Sequence, residues 1–103
     1  MLILKGNKGK MSVCSKIVSK EQDNCIVICY NDKAPALKGS YTLCNGDINE
    51  FLENIQKEAF YGKEIVIIYT NEKESDINPI KEYLTELEDK NYIGIGIVAC
   101  KED

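Results

Sequence analysis

The stretch Glu64-Ile65-Val66-Ile67-Ile68-Tyr69-Thr70 constrains the fold of this chain more than any other. From Ile65 to Tyr69 every side chain is apolar or aromatic, with no alternation of wet and dry positions. A strand with one solvated face alternates. A run that does not is read as a strand buried on both faces, at the centre of a mixed or parallel sheet. Helical patterns flank it on both sides, and a further β-rich run follows.

Before the central run, Asp47 to Phe60 carries Ile48, Phe51, Leu52, Ile55, Ala59 and Phe60 on one helical face. Asp47 is a suitable N-cap, Glu50 completes a capping-box pattern, and Gly62 can take the left-handed stop. After the run, Asn71 to Asp76 is a polar loop. Asn78-Pro79 then reads as an N-cap followed by proline at the first helical position. This second helix reaches about Lys90, with Ile80, Leu84 and Leu87 as its stripe, Glu86 paired to Lys90, and Asn91 as its stop. Tyr92 to Cys100 is the last strand, in which Gly94 and Gly96 share one face and let a helix or backbone come close. The segment from Ile65 to Cys100 is thus a strand–helix–strand unit, expected to pair in parallel.

The amino-terminal half reads differently. Met1 to Lys5 is a short strand, and Gly6-Asn7-Lys8-Gly9-Lys10 a turn. Met11, Val13 and Ile17 share one parity, which predicts a strand over Met11 to Ser19. Cys25 to Tyr30 is rich in β-branched residues and predicts a second. The short polar turn between them implies an antiparallel hairpin, since so short a connection cannot make a parallel crossover. Ser40 to Cys44 adds a third, shorter strand. The expected architecture is therefore one α/β domain over residues 1–103, with an N-terminal antiparallel hairpin or meander, then α-β-α-β, giving a mixed sheet with two helices.

That element order resembles the ribonuclease-H-like fold. Asp47-Ile48-Asn49-Glu50-Phe51-Leu52 looks like that family's first helix, with its metal-binding acid, and Ile67-Ile68-Tyr69-Thr70-Asn71 looks like its fourth strand, which ends in a Thr-Asp pair. Two-metal chemistry needs several convergent carboxylates around the ions. Here Asn71 stands at the position of the fourth-strand Asp, and Glu50 is the acid left. The resemblance thus implies a degenerate domain without nuclease activity.

Composition narrows function by exclusion. The 44% apolar and 29% charged fractions are those of an ordinary globular domain. A net charge of −4 and the absence of Arg argue against a nucleic-acid binder working by phosphate neutralisation. No apolar run approaches the roughly 20 residues of a membrane span, and no signal peptide is evident, so the expectation is a cytoplasmic protein. The five cysteines, Cys14, Cys25, Cys29, Cys44 and Cys100, form no CxxC pair and read as reduced, buried thiols. The sequence contains no histidine, hence no base for a cysteine or serine nucleophile. No catalytic residue, metal ligand or cofactor is assigned.

Two binding surfaces are expected instead. Asn71, Ser75 and Asn78 lie beyond the carboxyl end of the central strand, where open α/β sheets take ligands, and are candidates to hold a small polar or anionic molecule. Tyr61, Tyr83 and Tyr92, near helix ends, are candidates for a protein contact, as is an exposed edge strand in the N-terminal half. The expected function is a small non-catalytic interaction or regulatory protein that binds a protein partner or self-associates.

Overall fold

The computed structural model describes residues 1–6, 9–31, 40–44, 46–57 and 62–103. The chain runs β1 (Leu2–Lys5), α1 (Lys10–Glu21), β2 (Cys25–Tyr30), β3 (Ser40–Cys44), α2 (Ile48–Gln56), β4 (Ile65–Lys73), α3 (Asn78–Asp89) and β5 (Ile95–Lys101). The sheet has five strands in the order β1-β5-β4-β2-β3, and every pairing in it is parallel.

β4 lies in the middle of that order, and its residues Val66 to Thr70 are all buried. Val66 and Ile68 point into one apolar cluster with Phe51 and Ile55 of α2 and with Ile80, Leu84 and Leu87 of α3. Ile67 and Tyr69 point into a second, with Cys14 and Val18 of α1. Two helices therefore cover one face and one helix the other. This is why the run from Ile65 to Tyr69 shows no alternation: each parity has its own apolar wall.

The N-terminal half corrects the sequence reading. Residues 11–19 are not a strand, and the antiparallel hairpin with Cys25–Tyr30 does not exist; they belong to α1. Among the described residues the sheet is all parallel, not mixed, and it carries three α-helices, not two. The physical reason lies in β1. It pairs in parallel with β5, and a strand that enters a parallel sheet needs a long crossover, usually a helix, before the next strand. Lys10, Cys14 and Val18, at i, i+4 and i+8, supply the buried stripe of that helix, while the parity of Met11, Val13 and Ile17 is incidental. Met11 and Val13 are in fact exposed. The expected antiparallel opening is thus absent.

The C-terminal half follows its local signals closely. Asp47 caps α2, its Oδ1 accepting from Asn49 N at 2.6 Å. Residues 58–60 of the expected helix lie outside the described residues. Asn78 is not the cap of α3. Ile77 holds that place, fully buried, and its carbonyl accepts from Ile80 N at 3.0 Å and Lys81 N at 3.2 Å. Burial of Ile77 pins the chain one residue earlier than the Asn-Pro signal suggests. Asn91 does stop the helix, with φ +58, and Tyr92 N donates back to Leu87 O at 2.9 Å. β5 begins at Ile95, because residues 92–94 form bends. A Cβ on Gly96 would stand 2.9 Å from the Cβ of Leu84, so the glycine lets α3 sit down on the sheet.

The topology also fixes where a site can be. From β2 the chain steps outward to β3, returns through α2 to β4 on the other side of β2, then continues through α3 to β5. The direction of winding reverses between β2 and β4. Counted from β2, the order reads 2-1-3-4 with β1 in fifth place, one of the two common doubly wound arrangements.

Candidate functional site

In a parallel sheet all carboxyl ends lie along one edge, and the loops leaving neighbouring strands on either side of a winding reversal diverge to opposite faces, opening a crevice. Here the strands are β2, ending at Tyr30, and β4, which pairs with it up to Tyr30↔Thr70.

Asn31, the residue after β2, has φ +49. Left-handed backbone disfavours most side chains but is tolerated by asparagine. Its amide clasps the loop before α2. Oδ1 accepts from Gly46 N at 2.5 Å, and Nδ2 donates to Gly46 O at 3.0 Å and to Glu72 Oε1 at 2.9 Å. The Tyr30 hydroxyl also donates to Gly46 O, at 2.8 Å. Gly46 itself has φ +126, a conformation that L side chains rarely adopt. Three segments that are far apart in sequence, after β2, before α2 and at the end of β4, are thereby tied together at the carboxyl ends of β2 and β4.

On the α1 side of these strand ends stand Lys10 and Thr70. Thr70 is fully buried, and its Oγ1 accepts from Glu72 N at 3.1 Å. Its carbonyl accepts from Lys10 Nζ at 2.5 Å, and the same ammonium lies 4.8 Å from the centre of the Tyr69 ring. Lys10 is 9% exposed although it is the first residue of α1. A cation at the amino end of a helix is opposed by the helix dipole, and burial adds desolvation. The Thr70 carbonyl and the Tyr69 π-face offset part of that cost. The Gly6–Lys10 segment, read from sequence as a turn with no helix behind it, leads directly into α1.

Further along the same edge, Glu74 Oε1 and Oε2 each lie 3.0 Å from an ammonium, Lys5 and Lys81 respectively. The hydrogen bonds from Lys5 and Lys81 hold the Glu74 carboxyl below the usual range, and the same Glu74 bond raises Lys5. Asp103 Oδ1 accepts from Ser75 N at 3.1 Å and from Ser75 Oγ at 2.9 Å, and these bonds lower its carboxyl in the same sense.

The sequence-derived candidates sit around this edge without converging. Asn71 is exposed on the extension of β4; Ser75 spends its N–H and hydroxyl on Asp103; Asn78 is exposed in the first turn of α3. Among the described residues no hydrogen bond joins the three. Tyr83 is half-buried against the core, Tyr92 is exposed with the Lys90 ammonium 6.0 Å from its ring, and Tyr61 lies outside the described residues. Asn31, Gly46, Thr70 and Lys10 were not picked out from sequence. Asn31 is visible only as the polar residue ending a strand, and Lys10 only as the lysine after Gly9.

Burial raises three of the thiols. Burial pushes Cys14 up to about 11, with neighbouring Cys25 adding to it, and burial raises Cys25 and Cys100 as well. A protonated thiol at neutral pH neither attacks nor binds metal readily. Among the described residues no three His, Cys, Asp or Glu side chains gather where they could hold a metal ion. No helix among them is long and apolar enough to cross a membrane. The side chain of Cys44 lies outside the described set. Comparison with protein-family models, curated proteins and solved structures gave no match to this chain.

Proposed function

We propose that the chain is a small non-catalytic binding domain, regulatory in character, that takes a polar ligand in the crevice between the carboxyl ends of β2 and β4. The observation that carries this is the reversal of winding at β2 and β4, with Asn31, Gly46, Thr70 and Glu72 gathered at that point. Doubly wound sheets take their ligands in such a crevice because the diverging loops leave polar backbone exposed at its floor.

The chemistry of the walls favours a ligand with both donors and acceptors. The walls hold amide, carboxylate and ammonium groups that are bonded to one another, Asn31 to Gly46 and Glu72 and Lys10 to the Thr70 carbonyl, and a ligand with both donors and acceptors can join or displace these bonds. An anionic group fits the Lys10 side better than the start of α2, where the Asp47 carboxylate already takes Asn49 N. The absence of histidine and the raised thiols support binding without chemistry.

The test is a thermal-stability screen of nucleotides, phosphorylated metabolites and amino acids, followed by amide NMR titration of any hit. A ligand of this site raises Tm and moves the amides of Asn31, Gly46 and Thr70 to Glu72. A flat screen, or shifts confined to other surfaces, refutes the assignment.

A further inference from the structure

The free edge of β1 has a register of its own. Gly6 N donates to Cys100 O at 3.1 Å, and Lys5 is the register partner of Cys100. In a parallel ladder the residues whose N–H and C=O face the neighbour alternate. Leu4 and Gly6 therefore turn their backbone groups toward β5, and Ile3 and Lys5 turn theirs outward, where the sheet ends.

The side chains along this edge are apolar. Leu2 is 44% exposed and Val13, on the adjoining flank of α1, is 43% exposed. A furrow of about 450 Å³ runs between strand and helix, lined by Ile3, Leu4, Val13 and Gly9, with Lys5 and Lys10 at one end. Edge strands are usually blunted by charge, proline or a bulge. In β1 the one charge is Lys5 at the carboxyl end, held by Glu74, and Leu2-Ile3-Leu4 has no charge, proline or bulge.

We propose that β1 pairs antiparallel with β1 of a second copy about a two-fold axis through Ile3, joining two sheets into one. A partner strand replaces the water on these outward N–H and C=O groups with a ladder, and a second copy fits residue by residue. Centred on Ile3, the pairing makes Ile3 and its symmetry mate a hydrogen-bonded pair, in keeping with their outward backbone groups. Leu2 then lies opposite Leu4 of the other copy on the α1 face, so the apolar furrow is filled by leucine. Lys5 lies opposite Met1 on the α3 face, beside which Glu88 sits. Lys5 is held by Glu74 and the Met1 ammonium by Glu88 within each copy, so the pairing buries no unmatched charge, and the contact is isologous and closed. A centre at Leu4 instead opposes Leu2 to Gly6 and loses the leucine match.

The experiment is sedimentation velocity of the full chain with amide hydrogen exchange, at about 0.1 mM protein. The expected species is twice the 11.6 kDa chain, with the Ile3 and Lys5 amides protected although neither faces β5. Leu2→Lys, at an exposed position, is expected to halve the mass and release both amides with circular dichroism unchanged. A wild-type monomer overturns the proposal. So does a dimer in which Ile3 and Lys5 exchange freely, and so does a dimer that survives Leu2→Lys. Should that variant fail to fold, wild-type mass and protection decide the matter alone.

Discussion

Asn31 holds the peptide unit of Gly46 from both sides, its Oδ1 accepting from the N–H and its Nδ2 donating to the carbonyl at 3.0 Å. A side-chain amide here does what a further strand residue would do in a ladder. It ties the end of β2 to the segment before α2, and because Asn31 sits at φ +49 the backbone is bent to permit it.

Asn31 therefore has two separable roles. Asn31→Ala removes the clasp and leaves a Cβ in left-handed backbone, for an expected loss of about 2 kcal/mol. Asn31→Gly removes the clasp alone and is expected to be less damaging by about 1 kcal/mol. Urea unfolding of the two variants measures the difference. If Ala and Gly are equally destabilised, the backbone is not strained at this position.

Gly96 is a packing glycine, unlike Gly62, whose φ is +92 with open space where a Cβ would go. At Gly96 the added carbon would lie 2.9 Å from Leu84 Cβ, inside a fully buried contact. Gly96→Ala is expected to cost about 1–3 kcal/mol by overpacking. Leu84→Ala keeps that Cβ and removes Cδ1 and Cγ, 3.2 and 3.4 Å from the added carbon, so the double variant is expected to be only slightly more stable than the sum predicts. A double-mutant cycle by thermal unfolding shows the coupling. Strict additivity would mean that the whole cost of Gly96→Ala lies in the Cβ overlap that alanine retains.

The parts of the fold legible in sequence are those whose signals are local. The unbroken Ile65–Tyr69 run placed β4 at the centre, and Asn91 ended α3 as its residue type implies. Residues 11–19 were not legible, because Val13/Ile17 and Cys14/Val18 satisfy a period of two and a period of 3.6 almost equally. What decides between them is the pairing of β1 with β5, a contact between opposite ends of the chain. The candidate site is legible only in part for the same reason. The loop after β4 reads as lying at the edge where parallel sheets take ligands, but its hydrogen-bond partners come from the end of β2 and the start of α1, and the Lys10–Thr70 bond spans 60 residues. A polar residue ending a strand looks the same in sequence whether it faces solvent or a crevice.

The thiols offer a kinetic check on the core. Cys14 and Cys100 are buried, and burial raises both, as it does the half-buried Cys25. Their reaction with an aromatic disulfide reagent at neutral pH is expected to be slow and to become fast on addition of denaturant, in step with unfolding. Rapid labelling of Cys14 in the folded protein would show that α1 lifts readily from the sheet.

The same shifts give stability two pH limits. For Cys14 the folded thiol is raised from 9.0 to about 11, so its contribution is complete below pH 9 and is lost as pH rises through that interval. Lys5, raised by Glu74, acts in the same alkaline direction. Glu74 and Asp103 are lowered, so the unfolded chain binds their protons first; their contribution is present above the ordinary carboxylate range and disappears as pH falls through their folded values. Both carboxylates are on the surface, where salt screens them, so the acid limb should be shallow and flatten further in high salt. Glu74→Gln is expected to weaken the acid limb and also part of the alkaline limb, since it removes the anion that raises Lys5. Ser75→Ala should touch the acid limb alone, through Asp103. Tm measured from pH 2 to 11 for the three proteins separates these outcomes, and a Glu74→Gln profile that changes only below neutrality would show that Lys5 takes its stabilisation from elsewhere.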